Sequence, residues 1–186
     1  MGTRGIRKTI NRQSKNTLAD STVVLLRSAS DLRNLGEKHG CYNGYVLDVV
    51  KLVGFIPGVK LEYTRFDSTL SGSLSKQDGI WVIKVNQLHS ETRQRFTIAH
   101  ELGHFVYHKD DEQEFVDTTF FRGMTSDNLE YTANRFASEL LMPEEQVRLL
   151  IDRDNIRSVA ELAEKFGVSS SAMLYRVKEL KYKTKE

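Results

Sequence analysis

His100 and His104 flank Glu101 within the stretch Arg95–His108, which reads RFTIAHELGHFVYH. On an α-helix, positions i and i+4 lie on one face, a turn apart, so two imidazoles at this spacing can close on one small cation. Zn²⁺ suits them, because it takes neutral imidazole nitrogen and accepts four-coordinate geometry. Glu101 sits beside that face and could act as general base on a water held by such an ion. Two histidines one turn apart are also compatible with core residues of a half-buried helix. The context around them therefore decides.

A catalytic zinc site wants a third protein ligand and leaves one position open. The candidates are His108, Glu130, Glu139 and the carboxylates of an acidic stretch that includes Asp110, Asp111, Glu112 and Glu114. His108 continues the i+4 row, but it lies two turns from His100, about 12 Å of helix rise, too far to share an ion with both histidines. Capping the helix C-terminus or packing in the core suits it better. Glu130 is favoured. It falls in the first turn of the next helical segment, at the edge of an apolar stripe, and could point into the space above the motif helix. Asn134 is one turn further on the same side, placed to hydrogen-bond a ligand. Asp127-x-x-Glu130 also fits a capping box, and the two roles are compatible. Glu139 points elsewhere around the helix, as a surface or salt-bridging residue.

Several elements must hold these groups. The motif helix is expected over Glu91–His108, with Ser90 as N-cap and an apolar stripe of Ala99, Leu102, Phe105 and Val106. Gly103 in its interior costs about 1 kcal/mol against alanine, which points to a close approach by a strand or a second helix beneath the site. The second helix begins near Asn128, buries Leu129, Ala133, Phe136, Ala137, Leu140 and Leu141, and stops at Met142-Pro143. Before the motif, Asn43–Val53 reads as a helix, with Val46, Val49, Val50 and Val53 on one face. Val59–Arg65 alternates as a strand, Ser68–Ser75 as an exposed edge strand, and Ile80–Val85 as the strongest strand, entered through an Asp78-Gly79 turn. After Pro143, Ser158-x-x-Glu161 is a capping-box pattern, Gly167 closes that helix, and a last helix spans Ser171–Leu180.

The 186 residues suit one domain with a small appendage, and a net charge of +2 excludes a polycation. Charge is nevertheless uneven: Arg4, Arg7, Lys8, Arg12 and Lys15 meet no acid before Asp20. Residues 1–20 are expected to be a disordered basic tail, with nucleic-acid contact as the lesser reading. A single cysteine, Cys41, forbids an intrachain disulfide and fits a reducing cytoplasm. No apolar run has transmembrane length, and the basic N-terminus lacks the apolar core of a secretory signal. Cytoplasmic location without membrane association is the expectation.

RFTIAHELGHFVYH followed by EYTANRFASELLMP resembles the ImmA/IrrE metallopeptidases over about Asn43–Pro143. The paired motifs are far more specific than either alone. The resemblance implies that His100, His104 and Glu130 are zinc ligands and that Glu101 is the general base, the arrangement of gluzincin-like peptidases. Mn²⁺ is a substitute for Zn²⁺ on this expectation. It implies an α+β fold: a zincin-like core at 21–143, with a small three-stranded antiparallel sheet on the motif helix, and a helix-turn-helix-like module at 144–186. It further implies a zinc endopeptidase that cuts a helix-turn-helix repressor, an anti-repressor of a mobile element or stress response. The alternative is a non-catalytic regulator that sequesters a repressor or toxin partner. Tyr131, His108 and Tyr107 are candidate donors to the oxyanion, and the sequence does not choose among them. Ser68–Ser75 is the candidate edge for an extended substrate. Arg176, Lys178 and Lys181 could meet phosphates, but Ser169-Ser170-Ser171 at the start of the last helix offers no side chain that reads bases, so direct DNA binding is the lesser expectation. Oligomeric state is not legible.

Overall fold

The computed structural model describes residues 26–108 and 124–183, excepting the side chains of residues 108 and 124–127. The tail expected over 1–20, the acidic stretch from Asp110, and the side chains of Asp127 and His108 lie outside the described residues.

Helix α1 (Ala29–Lys38) starts at Ser28, whose hydroxyl accepts from the Asp31 amide at 3.2 Å, while Asp31 accepts from the Arg27 amide at 2.9 Å. This reciprocal pairing satisfies two amides that a helix start leaves open. The single helix expected over Asn43–Val53 is not what forms. A short hairpin, β1 (Tyr42–Asn43) and β2 (Val46–Leu47), precedes a one-turn helix, α2 (Val49–Val53). Asp48 caps α2 by accepting from the Lys51 amide at 2.8 Å, which fixes its start six residues later than periodicity suggested. β-branched valines tolerate both conformations, so their spacing alone does not select helix.

Three strands follow: β3 (Val59–Thr64), β4 (Gly72–Gln77) and β5 (Ile80–Asn86). Their order is β3-β5-β4, with β4–β5 antiparallel and β3–β5 parallel. The sheet is thus mixed rather than wholly antiparallel. The tight turn at Asp78 (φ 48°) and Gly79 (φ 81°) folds β5 directly back on β4, as a type I′ geometry requires. β5 then occupies the middle position, and β3 meets its other edge in the same direction. β4 is left at an edge, four residues later than expected at its start.

Helix α3 (Glu91–His108) matches the sequence expectation, and α4 (Met124–Leu141) starts four residues earlier than expected. They form the tightest helix pair of the fold. Ile98, Ala99 and Leu102 of α3 and Phe136, Ala137 and Leu140 of α4 are almost wholly excluded from solvent. Trp81 of β5 meets Phe105 of α3 edge to face at 6.1 Å between ring centres, locking sheet to helix. Beyond Pro143 come α5 (Glu144–Arg148), a π-helical turn (Leu149–Arg153), α6 (Val159–Phe166) and α7 (Ser170–Glu179). Val147, Leu150, Phe166, Met173 and Val177 join the same hydrophobic core as α3 and α4. Among the described residues, no helix is long and apolar enough to cross a membrane.

Candidate metal centre

The i, i+4 spacing on α3 places His100 and His104 side by side, their Nε2 atoms 3.1 Å apart. α4 crosses above them and lowers Glu130 between the two rings. Its Oε2 lies 3.3 Å from His100 Nε2 and its Oε1 3.2 Å from His104 Nε2. One ligand-type atom from each residue falls within 4.8 Å of the others. Donor atoms around a tetrahedral zinc, with bonds of about 2.0–2.2 Å, stand about 3.3–3.5 Å apart. The observed triangle fits such an ion, with slight expansion.

Gly103 explains how α4 comes so close. A Cβ at this position would meet Ala133 Cα, Phe136 Cβ and Phe136 Cδ1, each at 3.2 Å. The close approach expected from an interior glycine is made by α4, the helix that carries Glu130. Asn134, one turn beyond Glu130, puts its Oδ1 3.1 Å from His100 Nδ1. A proton on Nδ1 donated to Asn134 leaves the Nε2 lone pair facing Glu130 and His104, the tautomer a metal ligand needs.

Glu101 is 4% exposed and points toward β4. Burial, reinforced by the Glu130 charge and opposed by His100, pushes its carboxyl up to about 7. Its Oε2 is buried without a hydrogen-bond partner. An orphaned acceptor of this kind costs free energy unless a ligand or water meets it. The glycine of β4 that faces it was not singled out from sequence. A Cβ on Gly72 would lie 2.4 Å from Thr97 Cγ2, 2.7 Å from the Lys84 carbonyl oxygen and 3.4 Å from Glu101 Oε1. Only glycine lets the edge strand settle onto α3 here, and a glycine inside a strand is the signal that could have revealed it. Glu130 is held far below the ordinary carboxylate range, first by its hydrogen bonds to His100 and His104. Burial pulls His100 down, but the contacts with Glu130, Glu101 and Asn134 outweigh it and leave its pKa raised.

These groups open on a cleft of about 340 Å³. Leu70, Ser71 and Gly72 form one wall, α3 supplies Arg93, Phe96 and Thr97, and Glu130 with Asn134 forms the other wall. Tyr107 and Tyr131 do not line it. Tyr107 lays its ring edge-on against Phe136 at 5.7 Å, and Tyr131 is 54% exposed on α4. Glu139 pairs with Arg135 at 3.0 Å, as a salt-bridging residue. Ser71 and Gly72 fall within the expected substrate edge Ser68–Ser75, whereas Arg93 and Phe96 are cleft residues that sequence reasoning passed over. Arg93 and Thr97 do share the helical face of His100 and Glu101, so the face itself was the available signal.

A helical histidine pair joined by a glutamate from a second helix, in an open cleft beside an edge strand, has the form of a metallopeptidase centre. The chain belongs to the IrrE N-terminal-like domain family (Peptidase_M78), whose model matches residues 56–178. It is 31% identical over 140 residues to the radiation response metalloprotease IrrE of Deinococcus radiodurans, covering 71% of this chain and 40% of that protein. The corresponding protein of Deinococcus deserti is 32% identical over 114 residues, covering 57% and 41%. The chain thus spans about two fifths of the length of these relatives. In fold, it is similar to a solved Mycobacterium tuberculosis transcriptional regulator, with a TM-score of 0.56 and 15% identity over 81% of this chain and 46% of that one.

Proposed function

We propose that this protein is a zinc-dependent endopeptidase of the cytoplasm that cleaves one protein substrate, a helix-turn-helix transcriptional repressor. The observation that carries the reading is the convergence of His100, His104 and Glu130 within 4.8 Å, with the buried Glu101 beside them on a cleft wall. These three residues would hold the ion. When bound, it supplies Lewis-acid polarisation of a carbonyl oxygen and lowers the pKa of water to about 7. Glu101, beside the three residues that would hold the ion and with its Oε2 free of hydrogen-bond partners, takes a proton on Oε2 and returns it to the leaving amine. Asn134 holds the His100 ring in the ligand tautomer. The free edge of β4 pairs with the backbone of an extended substrate and lays it across the cleft. The choice of a repressor as substrate is supported by the resemblance of the two paired motifs to the ImmA/IrrE peptidases.

The test is co-incubation with purified helix-turn-helix repressors, with Zn²⁺, with Mn²⁺ and with chelator. One discrete, metal-dependent cut is expected, abolished in Glu101→Gln although that variant still binds zinc. A stable complex that is never cut, and that Glu101→Gln leaves unchanged, would instead establish a sequestering regulator.

A further inference from the structure

Arg93 stands on the cleft rim, exposed, on the face of α3 that carries Thr97 and His100. Its Nε and Nη2 donate to Ser71 Oγ at 3.2 and 2.8 Å. Among the described residues it has no carboxylate partner, so its charge is uncompensated. Nη1 and the remaining Nη2 hydrogen are not committed to Ser71.

The rim that braces it is built. Asn86 is wholly buried, and its side-chain amide donates to the carbonyls of Asp67 and Leu70 at 2.9 Å and of Phe66 at 3.5 Å. Its backbone amide donates to the Ser71 carbonyl at 2.8 Å, and its Oδ1 accepts from the Leu88 amide at 3.1 Å. Ser71 is therefore fixed from β5, and Ser71 in turn restrains the guanidinium. A restrained planar fork with free N–H groups matches a carboxylate and loses little entropy on binding one. Leu70 and Phe96, both half-buried, form an apolar shelf on the same cleft.

We infer that Arg93, braced on Ser71, is a specificity-determining residue that reads an Asp or Glu side chain of the peptide substrate. Arg93 precedes His100 by seven positions, about 10 Å along the helix. An extended peptide covers that span in about three residues, so the acidic side chain lies about three residues from the bond that is cut. This rests on the peptidase reading of the cleft.

The test uses the zinc-loaded chain and a degenerate decapeptide library in two arms, cleavage by the native protein and capture by Glu101→Gln. Native protein should select Asp or Glu at one position about three residues from the cut, by up to about fivefold over Asn or Gln, the upper range of an exposed ion pair. Arg93→Glu should reverse the selection to Lys or Arg at that position, and Arg93→Gln should erase it. Cutting with no acidic preference, or a preference that Arg93→Glu leaves unchanged, overturns the inference and leaves the peptidase reading intact. Capture with the predicted reversal but no cutting by native protein supports the subsite and overturns the peptidase reading. Neither cutting nor capture overturns both.

Discussion

Replacing Gly103 by alanine sets two effects of opposite sign against each other. Helix propensity alone would stabilise α3 by about 1 kcal/mol. The added Cβ, however, would lie 3.2 Å from Ala133 Cα and from two carbons of Phe136. Carbon atoms in favourable contact sit about 3.5–4.0 Å apart, so α4 must retreat by some tenths of an ångström. Two of these neighbours are a backbone atom and a Cβ, which cannot rotate away. Forcing a methyl into a packed site costs about 1–3 kcal/mol. The sum is a net loss of about 1 kcal/mol, a fall in Tm of about 2–4 °C for a chain of this size. α4 carries Glu130 and Asn134, so its retreat widens the 3.2 and 3.3 Å separations between Glu130 and the two histidines. Zinc affinity should fall about tenfold, the scale of a perturbed supporting contact at a metal site. Calorimetry of the metal-free protein and zinc titration against a chelator measure the two effects separately. A rise in Tm of about 2–4 °C with unchanged zinc affinity would show that propensity governs the site, and would refute the close-contact argument.

Three further outcomes are expected. In the metal-free protein, the depressed Glu130 adds stability above its ordinary pKa of 4.5 and loses it as pH falls. His100, pulled down by burial but raised on balance by its partners, adds stability below its ordinary 6.5 and loses it as pH rises through the raised value. The Tm gap between native protein and Glu130→Gln should therefore be widest between those two pH values and narrow as pH rises through the raised His100 value. The stabilisation that zinc adds should run the other way and grow over the same rise, because imidazole binds metal only when deprotonated. A Tm gap independent of pH would remove the His100–Glu130 coupling. Arg95→Met should lower Tm by about 6–12 °C, corresponding to about 3 kcal/mol. The buried guanidinium donates to the carbonyls of Leu47 at 2.9 Å, Phe166 at 3.3 Å, and Gly167, and the change strips all of them of a charged donor. A fall of less than about 2 °C would mean that these contacts do not hold α6 to α3.

The convergence of the candidate metal centre was legible because its parts are local. His100 and His104 lie one turn apart on one helix, and Glu130 sits in the second turn of the next, beside a readable apolar stripe. Gly103 was legible for a related reason: an interior glycine costs helix stability, and something must compensate. The sheet was legible only in part. Alternation tells which side chains of Val59–Thr64 share a face, but it carries no information about which neighbour the strand pairs with, so β3 was assigned the wrong direction relative to β5. Asn43–Val53 was misread because valines at helical spacing also suit a hairpin, and the Asp48 cap decides between them. The cleft rim was illegible for a different reason. Asn86 acts through the carbonyls of residues 66, 67 and 70, and backbone carbonyls leave no mark in a sequence.

The helical pair α6–α7 has the outline of a helix-turn-helix, and its cations decide what it can do with that outline. Arg176 is 3% exposed. Its Nε donates to the Met142 carbonyl at 3.0 Å, and its Nη1 pairs with Glu179 at 2.6 Å. A guanidinium spent this way ties α7 to the end of α4 and is not free to meet a phosphate, which removes one of the three cations the sequence offered. Arg95 binds the other helix of the pair, donating from α3 into the carbonyls at the C-terminus of α6, where the helix dipole favours a cation. Both arginines therefore face inward, one at each helix. Phe166 and Met173 are fully buried in the core shared with α3 and α4. A DNA reader presents its recognition helix outward, with the supporting helix across the backbone. Here the polar anchors of both helices are used to brace the two helices that carry the candidate metal centre. The geometry therefore favours α6–α7 as a buttress of that cleft over a separate reader of nucleic acid.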